Sequence, residues 1–157
     1  MGRAYSVNGN CINTASSTLP IGCLIGATTV RPRIQDVVLG SDASPADNAC
    51  KVAFQRQTSA GTWAGAGGAA ITPQAIDPGD PASLCTANQG VASVGPTLTA
   101  SAFLLQIPFN QRASFRWVSQ PGKDLVIPAT ANNGISLVPL VVGGSAFNTV
   151  FSFEFEE

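Results

Sequence analysis

The chain contains no histidine. That removes the commonest metal ligand and the side chain that most often moves protons near neutral pH. No Ser-His or Cys-His nucleophile can be assembled within one chain. Glutamate occurs only at Glu154, Glu156 and Glu157. Paired carboxylates for glycoside hydrolysis must flank a cleft, and that stretch is a poor place for one. The glycine-rich run "GAGGAA" lacks the lysine and the following helix of a phosphate loop. These absences point to a protein that is not an enzyme and needs no cofactor.

Charge is also scarce. Charged residues make up 11% of the chain, against roughly 25% in ordinary soluble domains. The net charge of −1 leaves no electrostatic footprint for nucleic acid or an anionic membrane. No run reaches the ~18 apolar residues of a membrane span. No charged segment precedes an apolar run as in a secretory signal. A surface so poor in charge resists association weakly, which favours self-assembly or a large partner. A solvated surface of Ser, Thr, Asn and Gln has the same composition.

Four cysteines are present: Cys11, Cys23, Cys50 and Cys85. None forms a CxxC pair, and without histidine a zinc ion would need all four. Two readings stay open. One is disulfides, with Cys11–Cys23 and Cys50–Cys85 as the local pairing. The other is buried free thiols acting as small apolar side chains. Asp42, Asp47, Asp77 and Asp80 offer oxygens of the kind calcium takes, but no EF-hand loop is matched. The same residues are ordinary turn formers.

At 157 residues and 16.0 kDa the chain is one domain's worth. Its expected folded surface is roughly 7,000–7,500 Å². Helical periodicity is absent. Short β-branched or aromatic runs between turn signals recur instead, which is the all-β pattern. The expected strands are "CLIGATTV", "RIQDVVLG", "ACKVAFQRQT", "SAFLLQI" up to Pro108, "RASFRWVS", "DLVIP", "GISLVPLVV" and "FNTVFSFEFE". Pro139 marks the seventh as an edge or bulged strand. The last alternates cleanly, with Phe151, Phe153 and Phe155 on one face. "QPGK" and "ANNG" are turns. The expected core is Val52, Phe54, Phe103, Leu105, Phe115, Trp117, Phe151 and Phe153, with Arg116 on the outer face.

Two segments differ in character. Residues 1–21 are polar and turn-rich and read as an N-terminal arm, leaving 22–157 as a single domain. Residues 59–97 are rich in Gly, Ala and Pro and read as a long irregular insertion. A short strand near Ala70–Thr72 and a helical turn near Pro81–Leu84 are its expected content. Trp63 lies in it, either as an exposed interface anchor or as a plug over one end of the barrel. Tyr5 in the arm is the other candidate ring. Arg31 and Arg33 in "RPR" make a local positive spot, suited to a carboxylate on a neighbouring subunit or simply solvated.

With the strands placed, the succession "VVLGSDASPADNACKVAFQRQTSAGT", "ITPQAIDPGDPAS", "FLLQIPFNQRASFRWVSQPGKDLVIPATANNGI" and a terminal aromatic strand ending in "FEE" resembles small virion proteins of tailed phages. These are similar to the single jelly-roll proteins that decorate or cement phage heads. The resemblance covers about residues 30–157 and excludes the cysteines as a set and the arm. It implies an antiparallel β-sandwich of jelly-roll type with about eight strands. It further implies a homotrimer that binds the major capsid protein, made in the host bacterial cytoplasm and residing on the virion surface. Tyr5, Arg31, Arg33 and Trp63 are the candidate partner contacts. The alternative is a tail or baseplate accessory domain, or a β-sandwich that binds host-surface glycans.

Overall fold

The computed structural model describes residues 2–14, 19–43, 45–141 and 146–157. Its accessible surface of 7391 Å² matches the size expected for one compact unit. Two six-stranded antiparallel sheets pack face to face as a sandwich. Sheet A contains β1 (Ala4–Thr14), β3 (Arg33–Gly40), β6 (Gln74–Ala75), β9 (Phe115–Val118), β10 (Leu125–Val126) and β12 (Phe147–Glu156). Sheet B contains β2 (Gly22–Ile25), β4 (Ala49–Gln57), β5 (Ala69–Ile71), β7 (Thr86–Gln89), β8 (Leu98–Asn110) and β11 (Gly134–Val141). Sheet A runs β10-β3-β12-β1-β6, with β9 pairing β3 ahead of β10. Sheet B runs β5-β7-β2-β11-β4-β8.

The eight expected strands all form, as β2, β3, β4, β8, β9, β10, β11 and β12. The total of twelve exceeds the expected eight because the arm and the insertion also contribute. The insertion is not irregular throughout: β5 and β7 extend sheet B, while β6 lines the edge of sheet A. The expected helical turn at Pro81–Leu84 does not form.

The N-terminal arm is the main correction. Residues 4–14 are not an arm but a strand held between β12 and β6. Tyr5, Val7 and Cys11 face the core and are buried. "NGN" reads as a turn, yet Gly9 serves packing: a Cβ there would lie 2.4 Å from the Phe151 ring. Gly22 on the opposing sheet meets the same ring at the same distance. Phe151 thus fills the space left by two absent side chains, a close approach that only glycine permits.

The core is built where the two sheets meet. Phe54 of sheet B meets Phe153 of sheet A edge-on at 6.1 Å, and Phe109 meets Phe147 at 6.4 Å. Tyr5 stacks on Phe155 at 5.5 Å within sheet A. Such pairs contribute about 0.5–1.5 kcal/mol each beyond their buried area. Val52, Phe54, Phe151 and Phe153 are buried as expected. Leu105, Phe115 and Trp117 are half-buried at its margin.

Phe103 departs from expectation and is 40% exposed. The register explains it. Leu105 pairs Phe54 and Phe103 pairs Gln55, so Leu104 is bulged out and the alternation inverts. Phe103 is thereby carried to the outward face. Strand β8 also continues through Pro108 to Asn110, which an edge strand tolerates because one side of its ladder is unpaired. Pro139 sits on central strand β11, with a register shift between it and Val141; the strand is bulged and not at an edge. Both predicted turns close: Lys123 N–H donates to Gln120 O at 2.8 Å, and Asn133 N–H to Thr130 O at 3.2 Å. Gly122 takes φ 76° in the first; in the second Asn132, not Gly134, takes φ 65°.

Candidate interaction surfaces

Alternation along β1, β3, β9 and β12 sends every second side chain of sheet A outward, away from sheet B. The cross-strand register divides that outward face in two. At one end Arg33 pairs Glu156 in register, Asp36 pairs Glu154, and Arg116 lies alongside. Arg116 grips the buried Asp36 through Nε at 2.8 and 3.1 Å and through its Nη2. Arg116 thus lies on the outer face as expected, and of the two states open to it there, paired or solvated, it takes the first. At the other end Asn8 pairs Ser152, which pairs Val38 on its other side, and Asn10 pairs Val150, which pairs Gly40. That half is poor in charge: Arg116, paired to Val38, turns its guanidinium to Asp36, and Asp42 stands at the margin. Val38 and Val150 are exposed, and a shallow groove of about 280 Å³ runs between them, with Asp42 in its lining.

Arg31 and Arg33 share a hollow of about 240 Å³ with Glu156 and Glu157 of the same chain. Arg33 also lies 3.8 Å from Asp124. Their carboxylate neighbours are thus internal. Glu157 is itself a clasp. Burial would raise its carboxyl, but hydrogen bonds from Ser83 Oγ and from the Cys85 and Leu84 N–H groups outweigh it and hold the carboxyl below its usual range.

Tyr5 does not reach the surface. It is 0% exposed, and its hydroxyl donates to Pro81 O at 3.1 Å. Inward alternation on a strand between two neighbours excludes it as a partner contact. Trp63 is half-buried, and its indole N–H donates to Ala60 O at 3.0 Å. It is neither a sealed plug nor a fully presented anchor. It lines a cleft of about 670 Å³ between residues 60–63 and the outward face of β5, β7 and β2. Sequence reasoning singled out Trp63 but missed this cleft, because β7 ("TANQ") has no strand-like composition.

The four cysteines are free and buried; the disulfide pairing considered above does not form. Cys11 faces inward from sheet A, while Cys23 pairs with Ser136 on the outward side of sheet B. Cys50 lies on β4 and Cys85 precedes β7, and β11 and β2 separate those strands. Three strand spacings amount to about 14 Å, twice the reach of a disulfide. Burial pushes the Cys23 thiol up to about 12 and the Cys50 thiol to about 11, so neither is a ready nucleophile.

Asp77 acts as a turn former, while Asp47 ties its loop to the end of β8 and Asp80 pairs Arg3. Asp77 Oδ1 accepts from Gly79 N–H at 2.8 Å, and Asp47 Oδ1 accepts from Asn110 at 2.6 Å. Among the described residues no cluster of three or more His, Cys, Asp or Glu is placed to hold a metal. Comparison with protein-family models, with curated proteins and with solved structures returns no match.

Proposed function

We propose that the protein is a non-enzymatic virion structural protein that decorates or cements a tailed-phage head. In this reading it docks on the major capsid protein as a homotrimer and adds interface area across subunit junctions. The sequence resemblance to phage jelly-roll proteins motivates it, and the charge-poor half of the outward face of sheet A supports it. An exposed, shallowly grooved β surface with Val38 and Val150 beside Asn8, Asn10 and Ser152 loses little solvation energy when covered. Its attachment would depend weakly on salt, since few ions are displaced. A stable contact of this kind needs on the order of 800 Å² per partner.

Co-sedimentation with expanded heads, with isolated tails in parallel, tests the reading. Saturable binding to heads at hundreds of copies, retained in high salt and lost in Val38→Glu, is expected. Binding confined to tails, or to neither particle, rejects the head assignment. Light scattering on the free protein reads the trimer separately.

A further inference from the structure

The cleft over sheet B has a construction that head attachment does not call for. Its floor includes the buried, apolar Ile25 and Pro73. The Trp63 indole forms part of its wall. Because the indole N–H is already committed to Ala60 O, the ring is oriented before any ligand arrives. The segment carrying it is fixed as well. Thr62 bridges Val94, and Gly61 takes φ 69° with Pro96 N only 2.8 Å from where a Cβ would stand.

Around this ring stand Thr62, Thr72, Thr86 and Asn132, all exposed. None of their side chains has a hydrogen-bond partner among the described residues. No residue lining the cleft carries a charge. At about 670 Å³ it falls within the roughly 300–1,000 Å³ of small-molecule sites.

We propose that this cleft binds a neutral carbohydrate. A pyranose has one apolar C–H face and a rim of hydroxyls. The fixed indole suits the first, through the flat apolar body of the ring. Threonine hydroxyls and the asparagine amide suit the second, since they both donate and accept. The uncharged lining gives phosphate, sulfate or carboxylate no counter-charge to offset its desolvation. A purely apolar ligand would leave those polar groups without water or partner. The inference stands on the cleft alone and does not require attachment to heads, so the two readings fail separately.

Titration of the full chain with maltohexaose, cellohexaose, mannohexaose and chitohexaose tests it, with a heparin hexasaccharide as the anionic comparison. Calorimetry reads affinity, and the indole N–H resonance absent in Trp63→Ala reports the site. At least one neutral hexasaccharide is expected to bind and move that resonance. Trp63→Ala should weaken binding about tenfold or more, the loss of one aromatic anchor. Ala70→Trp, placed at the exposed rim, should block the cleft while the circular dichroism spectrum stays that of the wild type. The proposal is overturned if no neutral hexasaccharide binds at about 10 mM, a ΔG near −3 kcal/mol. It is equally overturned if Ala70→Trp binds as well as the wild type, or if the heparin fragment binds best.

Discussion

On sheet A most outward side chains meet solvent; on the central strands of sheet B they are covered. Strand β12 alternates buried with half-buried or exposed residues over its whole length. Strand β2 is buried at every position, and β4 and β11 nearly so. Cys23, Ala53, Gln57, Ser136 and Val138 all face outward from sheet B and yet are at most 2% exposed. Polar groups can be covered this way only because each finds a partner. Ser136 Oγ donates to Gln57 Oε1, Gln57 Nε2 donates to Ser59 O at 3.0 Å, and Gln55 donates to Thr99 O at 2.8 Å. Ser59 opens the insertion and Thr99 lies in the distorted start of β8. A sandwich thus gains a third partial layer on one side and keeps a bare sheet on the other. The bare side leaves its outward side chains in solvent; the centre of the covered side is committed to the fold.

Substitutions graded across these layers test the contrast. The largest loss should come from the shared core, which serves both sheets. Phe153→Ala removes the ring that meets Phe54 and Phe151 and should cost about 3–5 kcal/mol in urea unfolding. The covered face comes next. Gln57→Ala leaves the Ser136 hydroxyl and the Ser59 carbonyl without their partner and should cost about 1–3 kcal/mol. Its mirror on the bare face, Asn8→Ala, should stay within about 0.5 kcal/mol. Equal losses at Gln57 and Asn8 would erase the distinction between the faces.

The smallest effect belongs to the Glu157 clasp and appears only as a pH dependence. Its folded pKa is depressed below the ordinary 4.5. Its contribution is therefore complete above that value and disappears as pH falls through the lower folded value. Glu157→Gln should lower the melting temperature slightly at pH 7. The two proteins should converge in acid, below the folded value. A difference that persists unchanged in acid would show that the carboxylate's charge is not what matters.

The same contrast explains what could be read from the sequence. "RIQDVVLG" and "FNTVFSFEFE" match β3 and β12 to the residue, because one wet face and one dry face write a period of two. Strands covered on both sides, such as β4, were legible as apolar runs, though not which face carried what. Strand β1 was hidden by Gly9 and its flanking asparagines, whose purpose is visible only once Phe151 is in place. Strand β7 and the cleft beside it were hidden because "TANQ" owes its conformation to neighbours and not to propensity. Of the proposed contact residues, Arg31 and Arg33 do lie at the surface, Trp63 is half-covered, and Tyr5 is inside. Nothing in a single chain distinguishes a tyrosine on a bare arm from one on a paired strand.

The pairing of β1 with β12 sets an order of events. Thr14 and its partner Phe147 are 133 positions apart. At the roughly 5–20 residues per second of synthesis, about 7–27 s separate them on the ribosome. In the later part of that interval, once Gln74–Ala75 has been made, β1 has its edge partner β6 but not the strand that will carry Phe151 over Gly9. Strand β1 waits for β12, and the apolar row of Tyr5 and Val7 stays unsatisfied until then. Assembly of sheet A is therefore a long-range closure that must follow synthesis of β12, and the nascent chain is most exposed to misassociation just before β12 arrives.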